Sequence, residues 1–233
     1  MISKYSTVET DKIGTNVNIA EYCVIRENVT IGNDVVIHPN VVIYSGVNIE
    51  DGTEIFSGSV LGKIPKAAGS SSRKLNFKEK TNIGKFCAVG PHAVIYTDVV
   101  IGDNCLIGDT AAIRENCRIG NDCIIGRHVS LLYNIEVGNN TVIMTKSHLS
   151  GNTKVGKHVF ISVGVNSVND NLFGEKGYAE HVVGQTIEDY VKIGAGAILL
   201  PNITIGRSAI IAAGAVVTKS VKSGQKVFGI PAK

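Results

Sequence analysis

Histidine, cysteine and one cluster of basic residues are the groups in this 233-residue chain that could carry chemistry, and their spacing sorts them. Of the six histidines, His92, His128 and His158 fall at the fourth place of a six-residue unit, a turn position whose conformation histidine tolerates. His148 instead takes an outward strand position directly below Asn166, where an imidazole can serve as a base near neutral pH. His38 lies far from any break in the repeat, and His181 lies inside one. Lys63, Lys66, Arg73, Lys74, Lys78 and Lys80 stand against one acid, Glu79, a density that suits a pyrophosphate or, more plainly, a solvated loop. Cys23, Cys87, Cys105, Cys117 and Cys123 all fall at the inward fifth place. An odd number without a CxxC pair reads as core packing, not as a disulfide framework or a zinc site.

What positions these residues is a six-residue period, clearest from Ile83 to Asn166: IGKFCA VGPHAV IYTDVV IGDNCL and onward. An aliphatic residue opens each unit, and a small or branched one holds the fifth place. A period of six fits no α-helix. It fits short strands joined by tight turns, with the first and fifth places inward and the sixth outward. Asn, Asp, Gly and His recur at the fourth place, where a turn needs positive φ, and Pro39, Pro91 and Pro201 precede three of them, as in a type II turn. Such units bury their apolar edge only by stacking, which predicts an all-β solenoid.

The period breaks twice. Between Leu61 and Ile83 lie sixteen residues more than one unit needs, and between Ile161 and Ile187 twenty more. Loops of this length in a compact array are usually functional. The reading is one domain over 1–233 with loops at 62–82 and 166–186, the first twelve residues forming a cap. Residues eighteen apart overlie one another. With twenty residues allowed for the second break, one outward column reads Ala88, Leu106, Ile124, Val142, Phe160, Ile198 and Val216, apolar throughout and suited to a subunit contact. A second, Arg118, Glu136, Lys154 and Lys192, is polar. The third runs Val94, Ala112, Ser130, His148 and Asn166.

Composition narrows the function classes. A formal charge of +3, evenly spread, argues against nucleic acid as partner. The chain lacks an apolar run near the twenty residues of a membrane span, and MISKYSTVETDK lacks the features of a signal peptide, so a soluble cytoplasmic protein is expected.

These units, their turn residues and the two loops resemble the hexapeptide acyltransferases, whose fold is a left-handed parallel β-helix with triangular coils of three units. The resemblance implies about ten coils, roughly 45 Å of stacked strands at the usual spacing. It further implies a homotrimer with active sites in the clefts between subunits, which would place His148 in a cleft. The segment HVFISVGVNSVNDN is similar to a VFIGPxVxxxND motif of N-acyltransferases that modify nucleotide-linked amino sugars. That match puts Asn169 and Asp170 beside the sugar amine, although Ser162-Val163 replace the motif's Gly-Pro, and Asn and Asp also close turns unaided; Asn166, above His148 where the second loop leaves the coil, is a further substrate contact. IGAGAILLPNITIG, IAAGAVVTKSV and FGIPAK resemble the acyl-CoA-binding end of the superfamily. By that match Gly194, Ala195, Ala212 and Ala213 contact pantetheine, and Lys219 and Lys233 meet CoA phosphates.

The expectation is an acyl-CoA-dependent N-acyltransferase acting on a nucleoside-diphosphate-linked amino sugar, with Lys63, Lys66, Arg73 and Lys74 as further substrate contacts and no metal. His148 is base or orienting group, and Asp170 and Asn169 fix the amine. O-acyl transfer to a sugar, serine or antibiotic hydroxyl is the rival reading. A γ-type carbonic anhydrase is a weaker one: His92 and His128 are thirty-six apart, as two of its zinc ligands are, but Tyr133 stands where the third is expected.

Overall fold

The computed structural model describes residues 1–67, 73–173, 175 and 182–233. Nearly every unit contributes a two-residue strand, and parallel pairing arranges them in three sheets of 11, 9 and 11 strands. Each sheet is one side of the stack, and each strand pairs with the strand one coil above and one coil below. This is the expected all-β parallel solenoid, with a coil number close to that expected. The sheets are called here after an outward residue of each: the Phe160 sheet, the His148 sheet and the Lys154 sheet, in the order in which the chain visits them.

Why the sequence folds this way is visible in one coil. First-place residues such as Ile95, Ile101, Ile107 and Ile113 are completely buried and form a continuous internal column. Burying each is worth roughly 1.5–3 kcal/mol. The fifth place must be smaller, and the five cysteines lie there, buried, with Cys117 pushed up to about 12 first by desolvation. Fourth-place residues adopt the left-handed turn: φ is 57° at His92, 56° at His128 and 55° at His158. Third-place Asn and Asp carboxyl and carboxamide oxygens tie coil to coil, as when Asp103 accepts from Lys85 N at 2.8 Å and Asn121 from Asp103 N at 3.0 Å.

The structure corrects three details of register. The first twelve residues are not merely a cap, because Thr7–Val8 pairs in parallel with Val24–Ile25 as a strand of the His148 sheet. The second break holds fourteen extra residues, not twenty: Phe160 pairs with Lys192 and Asn166 with Ile198, each thirty-two positions apart. The unit overlooked begins at Ser167, which is buried in the core column where an aliphatic residue is normal. Consequently the outward columns change above the break. Ala88, Leu106, Ile124, Val142 and Phe160 continue into Lys192 and Ile210, while Ile198 and Val216 belong above His148 and Asn166, and Lys192 leaves the polar column to Thr186.

Corrected register brings out a relation hidden in the sequence. The first loop leaves the strand Val60–Lys63 and returns at Thr81–Ile83; the second leaves Asn166–Ser167 and returns at Thr186–Ile187. Both therefore leave the His148 sheet and enter the Lys154 sheet, so they spring from the same corner of the solenoid, five coils apart.

Candidate functional site: a roofed corner and a half-buried histidine

Along that corner the third places show what the loops do. Below and above the loops these residues are exposed or half-buried, as Glu27, Ser45, Pro201 and Lys219 are, but Thr97, Glu115, Tyr133 and Gly151 are buried. The returning limb of the first loop covers them from one end. Lys78 N donates to Asp98 at 2.8 Å, Thr97 Oγ1 donates to Lys78 O at 2.9 Å, and Asn116 Nδ2 donates to Asn76 O at 2.7 Å. Arg73 pairs with Glu115, whose side chain has 0% exposure, and its guanidinium lies 3.9 Å from the centroid of the Tyr133 ring. Burial raises the Glu115 pKa, but hydrogen bonding to Arg73 and the charges of Arg114 and Arg73 outweigh it, so the carboxyl sits below its ordinary value.

The second loop roofs the other end through a buried polar network. Ser167 Oγ accepts from Ser150 N at 2.8 Å, Gln185 Oε1 accepts from Thr153 Oγ1 at 3.0 Å, and Gln185 Nε2 donates to Leu200 O at 2.9 Å. Serine at 167 thus replaces an aliphatic residue because its hydroxyl has partners here, as buried polar groups require. Val183 N donates to Asn169 O at 3.1 Å, and Asn169 Nδ2 donates to Gly151 O at 3.3 Å.

Where the second loop leaves the sheet a cavity of about 350 Å³ remains, lined by Tyr133, His148, Ser150, Asn166, Asn169 and Asp170 among others. Four residues singled out from the sequence, His148, Asn166, Asn169 and Asp170, meet in it. His148 projects from the sheet, half-buried, and desolvation alone lowers its pKa from the ordinary 6.5, which favours the neutral imidazole. Asp170 Oδ1 accepts from Leu172 N at 2.6 Å, which fixes the carboxylate at the cavity edge. In the sequence Tyr133 stands out only as the residue in place of a zinc ligand; its contribution to the cavity emerges from the fold.

The basic residues of the first loop part company. Arg73 and Lys74 line a second cavity, whereas Lys63 lies 4.9 Å from the centroid of the Tyr96 ring and neither Lys63 nor Lys66 lines either cavity. At the opposite edge of the His148 sheet, Gly194, Ala195, Ala212 and Ala213 form the corner reached from the Phe160 sheet. A Cβ on Gly194 would stand 2.4 Å from Ala213 N, and beside it Gly196 and Gly214, at φ 69° and 68°, face open space. Gly194 thus lets successive coils pack closely, while Ala195 and Ala213 are exposed. Lys219 and Lys233 are exposed, and the terminal residues fold back so that Phe228 and Lys233 exchange backbone hydrogen bonds and Ala232 N donates to Val216 O.

Among the described residues no group of three or more His, Cys, Asp or Glu is placed to hold a metal ion, and no helix is long and apolar enough to cross a membrane. His128 bonds to Thr110 and His158 stacks on Tyr190. His38 bonds to Glu54 at 2.7 Å, and His181 lies outside the described residues.

Fold and corner together define a hexapeptide-repeat solenoid of the transferase type. The family model described as bacterial transferase hexapeptide (six repeats) matches residues 12–44, 28–63, 80–114, 98–132 and 186–219, more than half of the chain, and the protein belongs to this family. One relative, the 2,3,4,5-tetrahydropyridine-2,6-dicarboxylate N-acetyltransferase of Staphylococcus aureus (strain JH9), is 53% identical over 47 residues, 20% of either chain. The match thus spans one fifth of that enzyme's length. The crystal structure of a UDP-N-acetylglucosamine acyltransferase from Bacteroides fragilis is similar with a TM-score of 0.57 and 26% identity, over 71% of this chain and 66% of that one. The Arabidopsis UDP-N-acetylglucosamine acyltransferase shares the fold at TM-score 0.61 and 19% identity, over 98% and 71% of the two chains.

Proposed function

We propose that the protein is an acyl-CoA-dependent N-acyltransferase that acylates the amino group of a nucleoside-diphosphate-linked amino sugar. The observation that carries this reading is the cavity uniting His148, Asn166, Asn169 and Asp170 on the sheet whose other edge is the small-residue corner at Gly194, Ala195, Ala212 and Ala213. Acceptor and donor then meet over the outward face of one sheet. The amine nitrogen attacks the thioester carbon, the C–S bond breaks, and one proton must leave nitrogen. A neutral imidazole is ready to take it, and Asp170 holds the amine in position by charge. Acyl-CoA supplies the activated acyl group, and the departing thiolate is the alternative proton acceptor. Lys219 and Lys233 are assigned to its phosphates.

Kinetics with amino-sugar nucleotides test the assignment. His148→Ala is expected to lower kcat/KM by about a hundredfold or more, and Asp170→Asn to lower it with CoA affinity unchanged. Near-normal values in both variants remove the cluster from the mechanism.

O-acyl transfer remains the second reading, favoured by the half-buried neutral imidazole that a hydroxyl acceptor needs. The pH profile separates the two. A hydroxyl does not titrate in this range, so the acid limb of kcat/KM would report His148 and lie below 6.5, whereas an amine acceptor adds the limb of its own ammonium.

The assembly proposed is a homotrimer joined through Leu106, Ile124, Val142 and Phe160, which leave a partly or fully exposed apolar stripe on the Phe160 sheet. Leu106→Glu with Ile124→Glu should give a monomer by light scattering; an unchanged trimer rules out this face.

A further inference from the structure

A second cavity, of about 320 Å³, lies under the returning limb of the first loop and over the corner residues Asn116 and Asn134. Its charge is one-sided. Among the described residues Lys74 and Lys78, with Arg73 beside them paired to Glu115, line it against one acid, Asp98, and that carboxylate is already taken by Arg118 Nη2 at 2.6 Å and Lys78 N at 2.8 Å. Phe77, a half-buried aromatic ring, lines the same cavity. An aromatic ring among cations is a poor way to face water and a good way to face a flat ring joined to an anion.

Position gives the cavity its meaning. Asn116 stands on this edge two coils from Asn152, the turn residue that follows the His148 strand, about 10 Å along the stack at the normal strand spacing, and His148 is set back on the face of the sheet. The two cavities are separated by the contact between Arg73, which lines this one, and Tyr133, which lines the His148 cavity. A hexose and its first phosphate span a distance of this order.

We infer that the cavity under the first loop binds the diphosphate of the acceptor, with Phe77 beside the nucleobase, while the sugar amine lies in the His148 cavity. This rests on the reading of the acceptor as a nucleotide-linked amino sugar and assigns that molecule its second subsite. Lys74 and Lys78 supply the countercharge, and Arg73, held by Glu115, marks the boundary between nucleotide and sugar. Lys63 and Lys66, in the same loop but outside the cavity, have no part in it.

Titration calorimetry with UDP, dTDP and inorganic pyrophosphate on the whole protein tests this. Lys74→Glu with Lys78→Glu should weaken all three by at least tenfold, whereas Lys63→Glu with Lys66→Glu, an equal change of charge in the same loop, should alter them less than twofold. Phe77→Ala should weaken UDP and dTDP and leave pyrophosphate alone. Circular dichroism and retained acetyl-CoA binding show that each variant is folded. Equal weakening by both lysine pairs means diffuse attraction to a basic loop and overturns the proposal, as does no binding of any of the three to the unaltered protein. Acetylation of a free amino sugar, measured in parallel, separates the two readings: if it persists where diphosphates fail to bind, acyl transfer to an amine stands and the nucleotide subsite falls.

Discussion

The two edges of the His148 sheet are built from the same repeat and present opposite surfaces. At the edge shared with the Lys154 sheet, two loops cover four successive third-place residues, and charged and aromatic side chains are packed beneath them. At the edge shared with the Phe160 sheet no loop intervenes among the described residues, and Gly164, Gly196 and Gly214 face open space. The repeat sets a regular spacing, and insertions alone decide which corner becomes a walled site and which stays a bare track. A site for a compact, chemically varied acceptor calls for walls, whereas a long flexible donor needs only a groove along backbone. The division of labour proposed above follows that contrast.

The strongest way to break the contrast is to remove the roof. Arg73→Ala leaves Glu115 wholly buried with Arg114 as its remaining ion partner, and a buried charge deprived of a partner is costly. About 2–3 kcal/mol of loop docking should be lost, read as faster hydrogen exchange over residues 73–80 with the solenoid core unchanged. Arg73→Met with Glu115→Gln removes both charges and should recover most of the loss. Acid offers the same test. The folded Glu115 pKa lies below its ordinary 4.5, so its stabilisation is complete above that value and disappears as pH falls through the folded pKa. The loop should therefore open in acid, and Glu115→Gln should abolish that acid limb. Docking that survives Arg73→Ala would place the roof's anchor at the Lys78–Asp98 bond instead.

How much of this corner could be read from sequence depended on whether a position obeyed the period. Ile83 through Ile161 did, so the core column, the inward cysteines, the turn histidines and the stacking of His148 under Asn166 follow from spacing alone. Ser167 did not. Its hydroxyl is satisfied by Ser150, a partner that only the folded chain supplies, and passing over it displaced every column above the second loop. Only with Ser167 counted as a first-place residue do the two loops share a corner, and with it the roof. Arg73, Glu115 and Tyr133 were equally hidden, being brought together across forty-two and eighteen residues by a loop whose path has no period. Lys63 and Lys66 illustrate the reverse: composition grouped them with Arg73, and geometry separates them.

The smallest changes sharpen the contrast most, because one methyl group can be added to either edge. Gly151 sits under the roof, where a Cβ would lie 2.7 Å from Cε2 and Cζ of Tyr133. Gly151→Ala must push the ring, at about 2 kcal/mol by the usual cost of overpacking, and the ring is a wall of the acceptor cavity. The KM for the acceptor should rise severalfold while the Kd for CoA stays constant. Gly196→Ala meets nothing within 4 Å, so its only penalty is the left-handed backbone, about 1 kcal/mol. Its methyl group projects into the track assigned to the acyl donor, so the Kd for CoA should rise and the acceptor KM stay constant. Denaturant midpoints for both variants, with calorimetry for CoA and steady-state kinetics for the acceptor, give four numbers. Opposite patterns in the two variants support a walled acceptor corner and an open donor corner. The same pattern in both would mean that the edges do not divide the substrates, and that donor and acceptor share one side of the sheet.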